Sequence, residues 1–184
     1  MKDIIEQTLR NEGGYSNHSK DRGRETYKGI TRKFWGEWAG WAIIDRANRA
    51  KFVSDRAFTE YLSKDATLQA LMLDFYKRNF WDKMRLDEVQ SKKVQLVMFD
   101  FGVNFGTSRA VKYAQICSGA VVDSKIGPNT IAAINKSDEH RFVYQFLLEC
   151  VEGYYSLVKK DDSQRVFLLG WISRVVHNYY KVRE

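Results

Sequence analysis

Apolar positions along the chain recur mostly at helical spacing. Ile4, Ile5, Thr8 and Leu9 share one face of a short amphipathic helix over residues 2–11. Phe34, Trp35, Trp38 and Trp41 suggest aromatic helical turns within 31–50, and a short helix is expected over 54–63. Leu68, Leu71, Met72, Phe75 and Tyr76 follow an i, i+3, i+4, i+7, i+8 pattern that ends near Asn79-Phe80-Trp81-Asp82. After a polar connector over 86–93, Val94, Val97, Met98 and Phe101 mark another helix. The glycines between Gly102 and Gly106 are expected to interrupt it, and Ala110, Val111, Ala114 and Cys117 begin a new one. Residues 122–128 read as a turn. Pro128 opens a helix reaching about Asn135, because the first helical position needs no N–H. Two long helices close the chain, one through Val143, Phe146, Leu147, Cys150, Val151, Tyr154 and Val158, the other through Phe167, Trp171, Val175 and Tyr179. The ordinary role of all these stripes is core packing.

One stretch breaks the pattern. Gly13 to Gly29 has too little periodicity for a helix and too many turn residues for a long strand, so it reads as an irregular hairpin or loop. The expected fold is mainly α, with a small irregular or β element after the first helix. The single proline supports this, since it leaves long helices uninterrupted.

A chain of 184 residues fits one domain or two small lobes, and 44% hydrophobic residues exclude a disordered polymer. The formal charge of +7 favours a polyanionic partner. Part of that excess is local: Lys20, Arg22, Arg24, Lys28, Arg32 and Lys33 lie close together, interrupted by Asp21 and Glu25. The cluster serves equally as a solvated loop face. Nucleic acid is not the expected partner, because no helix has a dense basic face and no recognised motif is present. Cys117 and Cys150 have no metal or redox spacing and sit in apolar patterns, so buried free thiols are expected, with a disulfide between them as the alternative. His18, His140 and His177 form no metal-binding cluster. The first residues lack an apolar core of signal-peptide length, and no run is long enough for a membrane span. Synthesis in the cytoplasm is expected, without stable membrane insertion.

Chemistry concentrates in residues 12–31. Glu12 ends the first helix, and Gly13-Gly14 can take backbone angles closed to other residues, so the chain can turn sharply. The residues from Gly13 to Lys20 suffice to go out and return, which would let Asp21 face Glu12 across a cleft. Hydrolysis of a glycosidic bond needs such a pair: one carboxyl protonated to donate to the leaving oxygen, the other ionised to activate water or stabilise positive charge. An aromatic wall would raise the pKa of Glu12, and Tyr15, Tyr27 or Trp81 could supply it. Thr26 could hold a water by its hydroxyl. The plainer alternative is a helix end at Glu12 and a capped turn at Asp21.

Residues Glu12-Gly13-Gly14-Tyr15, Asp21, Gly23, Thr26 and Gly29-Ile30-Thr31 resemble the signature of glycoside hydrolase family 108, a lysozyme-like family. The order Glu, Asp, Thr is also similar to phage-type lysozymes. There the three serve as acid, base and water-holder, which would give these roles to Glu12, Asp21 and Thr26. Two departures stand out. Arg22 and Arg24 replace the usual proline and second glycine, and the Asp-to-Thr gap is one residue shorter than in the phage enzymes.

The second half resembles the peptidoglycan-binding region that accompanies this family. The motif residues are Asp100, Val103, Asn104 and Gly106, followed by 110–115, 122–130 and 170–175. The resemblance implies a lysozyme-like catalytic lobe over 1–87 and a peptidoglycan-binding lobe over 88–184 that forms the other cleft wall. It implies an N-acetylmuramidase with Glu12, Asp21 and Thr26 as catalytic residues, and no metal or organic cofactor. Tyr15, Tyr27, Trp81, Asp100 and Asn104 are the expected peptidoglycan-binding residues. Trp81 has a core reading beside the stacking one, Asn104 could equally end a helix, and Asp123 with Lys125 and Gly127 reads more simply as a structural turn. Action on the wall or in the periplasm would need an export route, such as a holin-like pore or secretion machinery. The rival function is a non-catalytic wall-binding or secretion-activating protein, which the two arginine replacements keep open.

Overall fold

The computed structural model describes residues 1–9, 13–17 and 25–183. It is mainly α-helical, with a three-stranded antiparallel sheet near the N-terminus. The chain divides into two compact units, Met1–Arg78 and Asn79–Glu184.

In the first unit, α1 (Lys2–Leu9) buries Ile4, Ile5, Thr8 and Leu9, the face that the spacing predicts. The Gly-rich stretch forms a hairpin and a third strand: β1 (Tyr15–Asn17), β2 (Glu25–Tyr27) and β3 (Ile30–Thr31). Tyr15 pairs with Tyr27, and Tyr27 with Ile30, so one face of the sheet carries these three buried side chains. Lys28 and Gly29 join β2 to β3 with φ of 44° and 81°. Two successive positive values make the tight turn that matches strand twist.

Three helices complete this unit: α2 (Gly40–Ala47), α3 (Asp55–Leu62) and α4 (Ala66–Tyr76). The side chains of Ser54 and Asp65 cap α3 and α4 by accepting from the Ala57 and Leu68 N–H groups. α1 and α2 pack on α4, and α3 packs on β1. The helical turns expected across 31–50 are only partly α-helix. Trp38 N–H donates to Trp35, and Trp41 N–H to Trp38. Those i→i+3 turns repeat every three residues, and the tryptophans follow that repeat rather than a helical one.

In the second unit, α5 (Lys92–Phe105) is buried all round from Val94 to Gly102 and forms its centre. α6 (Thr107–Ser118) and α8 (Glu139–Lys160) pack on it, while α7 (Pro128–Lys136) packs on α6 and α9 (Leu168–Val182) on α8. α8 packs on α5, α6 and α9. The break expected over Gly102–Gly106 is narrower than the glycines suggest. α5 runs through Gly102, where a Cβ would overlap the Met84 side chain, and ends at Gly106. Tyr154 of α8 stacks between Phe105 and Trp171, with ring centroids at 4.5 and 4.8 Å. The 122–128 turn is closed by buried Gln115. Its Nε2 donates to Asp123 Oδ1, and its Oε1 accepts from the Asp123 and Ser124 N–H groups. Asp123 is therefore bonded as a turn residue.

Cys117 and Cys150 are both free thiols, half-buried and buried respectively. Burial pushes the Cys117 thiol up to about 12, and burial pushes Cys150 upward as well.

Gly106 has φ 91° and ψ 147°, a region essentially reserved for glycine, and it joins α5 directly to α6. Gly106→Ala should therefore lower stability by about 1–3 kcal/mol. Urea unfolding monitored by circular dichroism would check this, and an unchanged midpoint would contradict it.

Candidate functional site

The hairpin is clamped at the end where β1 begins and β2 passes into β3. Gly13 has φ 72°, and a Cβ on Gly14 would overlap the Thr59 side chain. Tyr15 N–H donates to Thr59 Oγ1 at 2.8 Å. The Tyr15 ring packs edge-on against Phe58 at 4.8 Å. The Gly-Gly-Tyr segment thus lets the backbone lie flat against α3 and then drives a ring into the core. At the same end, where Lys28 N–H donates to the Gly14 carbonyl at 3.1 Å, Tyr76 O–H donates to the Lys28 carbonyl at 2.6 Å. Gln69 Nε2 donates to the Tyr27 hydroxyl at 3.1 Å.

The two faces of the sheet differ in chemistry. Opposite the Tyr15–Tyr27–Ile30 face, Ser16, Thr26 and Thr31 align across the three strands by their register. Thr26 sits in the middle of that hydroxyl row and is half-buried. Arg32 N–H donates to the Glu25 carbonyl at 2.8 Å, which extends the β2–β3 pairing by one residue.

That extension brings charged groups together. Arg32 donates from Nη1 and Nη2 to the two Asp45 carboxylate oxygens at 3.1 and 2.5 Å. Its Nε lies 2.5 Å from Glu25 Oε2. The guanidinium also sits 4.4 Å from the centre of the Trp41 ring, whose Nε1 donates to the Trp35 carbonyl. Tyr15 O–H donates to Glu25 Oε1 at 3.0 Å. A pocket of about 470 Å³ is lined by Asn17, Glu25, Arg32 and Lys33. Asn17 and Glu25 are the last and first described residues on either side of 18–24.

The expected site residues fall into three groups. Glu12 and Asp21, with Arg22 and Arg24, lie outside the described residues. Tyr15, Thr26 and Tyr27 are brought together in the sheet of the first unit. Trp81, Asp100 and Asn104 belong to the second unit. Tyr15, Tyr27, Trp81 and Asp100 are all buried. Tyr27 anchors the hairpin. Trp81 donates from Nε1 to Asp87 and packs on Phe99, which is its core reading. Asp100 accepts from Asn178 Nδ2 at 2.9 Å, and its Oδ2 lies 3.4 Å from Arg174 Nη1, so it joins α5 to α9. Asn104 is exposed, one turn further along α5, and its Oδ1 accepts from the Tyr154 hydroxyl at 2.8 Å. Among the described residues no cluster of three His, Cys, Asp or Glu side chains could hold a metal, and no helix is long and apolar enough to cross a membrane.

Sequence reasoning missed Thr59, Gln69, Arg32 and Asp45. Only Arg32 carried a signal, as the residue directly after the Gly29-Ile30-Thr31 close.

Burial, then the hydrogen bond to Glu25 and its charge, pushes the Tyr15 hydroxyl up to about 12. An unfolded tyrosine ionises near about 10. A raised folded pKa means that Tyr15 contributes stability below about pH 10, lost as pH rises towards about 12. The tyrosinate absorbance difference between the parent and Tyr15→Phe should show this late ionisation, and Glu25→Gln should bring it earlier. A Tyr15 titration near pH 10 in the parent would contradict the assignment.

Comparison with known proteins adds to this geometry. The family described as Glycosyl hydrolase 108 matches residues 5–106, and the one described as Predicted Peptidoglycan domain matches 109–176. The gap between the two matches follows Gly106, the joint between α5 and α6. Among solved structures, SagA of Brucella abortus is similar with a TM-score of 0.67 and 26% sequence identity, over 98% of this chain and 91% of that chain. No curated protein matches.

Proposed function

Because the chain belongs to the glycosyl hydrolase 108 family, and so to the glycoside hydrolases that act on peptidoglycan, we propose that it is an N-acetylmuramidase with Glu12 as its acid. It cuts the β-1,4 bond between N-acetylmuramic acid and N-acetylglucosamine. Glu12 protonates the leaving oxygen as the C1–O bond breaks and its electron pair moves to that oxygen. A water attacks C1, and Asp21 takes the water's proton. Thr26 orients that water. The products are two shorter glycan chains, one with a new reducing end, and no oxidant or cofactor is consumed.

The observation that supports this reading is the clamped three-stranded sheet. It holds half-buried Thr26 at the centre of a hydroxyl row on the face opposite Tyr15, Tyr27 and Ile30. Its first strand begins just beyond Glu12-Gly13-Gly14, and its first two strands bracket the segment that carries Asp21. Thr59, Gln69 and Tyr76 hold the arms from α3 and α4. Rigid arms are what a catalytic group needs from its support. Tyr27 packs behind the sheet, and the Tyr15 hydroxyl ties β1 to Glu25 of β2. An export partner, either a holin-like pore or secretion machinery, brings the enzyme to the wall.

Glu12→Gln should fold normally and release no reducing ends from purified peptidoglycan, because an amide cannot donate the proton. Turnover equal to the parent would remove Glu12 from the mechanism. Asp21→Ala should reduce the rate by at least tenfold with wall binding retained. If the parent itself binds wall but releases nothing, the non-catalytic alternative raised by Arg22 and Arg24 takes its place. The anomer formed first is a separate expectation. Proton NMR should show inversion, as follows when the two carboxyls stand about 6.5–9.5 Å apart. Retention would assign Asp21 the role of nucleophile instead.

A further inference from the structure

In the second unit a cavity of about 210 Å³ opens between the start of α5, the start of α8 and the end of α9. Val143 and Val182 give it an apolar base, since both line it and both are buried. Tyr144 and Tyr179 also line it and are 60% and 44% exposed. Two open aromatic rings beside an apolar base suit a ligand with one apolar and one polar aspect, such as a sugar ring.

The charged lining favours an anion. Lys93 and Arg183 face the cavity with one carboxylate, Glu139, and with His140. Glu139 is already engaged: its Oε2 accepts from Ser91 Oγ at 2.6 Å, and its Oε1 lies 3.7 Å from Lys93 Nζ. Arg183 stacks over the Tyr180 ring at 4.5 Å, which steadies the guanidinium without neutralising it. A guanidinium held this way can accept a carboxylate in its fork.

The cavity also continues into a track. Tyr144, Leu148 and Tyr155 share one face of α8, and each is at least half exposed. From Tyr144 to Tyr155 the helix rises about 16 Å, a span that suits a polymer better than a single sugar.

We propose that this cavity and the tyrosine track beside it form a non-catalytic binding site for the peptidoglycan strand. An amino-sugar lies against Tyr144 and Tyr179, and a carboxylate of the strand pairs with Arg183. The site rests on the wall-directed reading above, but its work is to hold the polymer.

The test uses the full chain carrying Glu12→Gln, so that binding is measured without cutting. Co-sedimentation with insoluble peptidoglycan should show at least tenfold weaker binding for the Tyr144→Ala, Tyr179→Ala double variant. Arg183→Gln should also weaken it, and Arg183→Lys should restore part of the loss. Peptidoglycan whose carboxylates have been amidated should bind the parent more weakly, with no further loss for Arg183→Gln. Tyr61→Ala, an exposed tyrosine of the first unit, should bind as the parent does. In the otherwise native chain, the double variant should cut short soluble peptidoglycan fragments at the parent rate. Unchanged sedimentation of the double variant and of Arg183→Gln, both folded by circular dichroism, overturns the site and leaves the hydrolase reading intact. A fall in molecular mass with wall binding retained would mean that the face pairs two copies, and also overturns it. Weakened binding of these variants, together with a parent that releases no reducing ends, would instead sustain this site and remove the hydrolase reading.

Discussion

Thr59 donates its hydroxyl proton to the Asp55 carbonyl at 2.8 Å, within its own helix. Its only proton is thereby committed, and its oxygen lone pairs are left to accept Tyr15 N–H. The same side chain fills the space that Gly14 leaves open. One residue of α3 therefore fixes both the path and the register with which the chain enters the sheet. Such a bond contributes about 0.5–1.5 kcal/mol, but leaving the Tyr15 N–H unmade would cost about 1–3. The larger consequence is geometric. With Tyr15 seated, its pairing sets Ser16 opposite Thr26 and Tyr27 opposite itself. A slip of one residue would turn the hydroxyl row into the core and the tyrosines outward.

The Arg32 cluster works at the other end of the same sheet. One guanidinium serves two carboxylates, Glu25 and Asp45, and lies over Trp41. Its side chain is about a third exposed, so water screens much of the attraction. Its value lies in direction more than in strength. A planar fork bonded on two edges holds β2 and β3 to α2 at a fixed angle. The pocket beside it inherits that rigidity.

Much of the fold was legible in the sequence because helical stripes report burial directly. The faces of α1, α4 and α8 follow the spacing, and the glycine-rich stretch turned out to be the hairpin of its two readings. Where spacing misled, another periodicity had taken its place: Trp35, Trp38 and Trp41 mark i→i+3 turns. Gly102 looked like a helix breaker, yet a glycine inside a helix serves equally where a neighbour such as Met84 comes close. The site was less legible. Tyr15 and Thr26 stand in a motif that singles them out, but only the strand pairing shows that they share one sheet. Arg32 finds its partners at Glu25 and Asp45, and only strand pairing and helix placement reveal such a cluster. Tyr27, Trp81 and Asp100 show the converse. A letter that suits a ligand also suits a core, and burial alone separates the two.

The two cysteines bear on how the protein endures oxidation. Oxidation and disulfide exchange begin from the thiolate. Burial pushes the Cys117 thiol up to about 12, which keeps it in the unreactive protonated form at neutral pH. Cys150 is shifted upward as well and is buried. A protein exposed to oxidants would in this way age slowly. Its working lifetime would then be set by the unfolding of the helices that cover the sulfur atoms, and little by the chemistry of the sulfur itself.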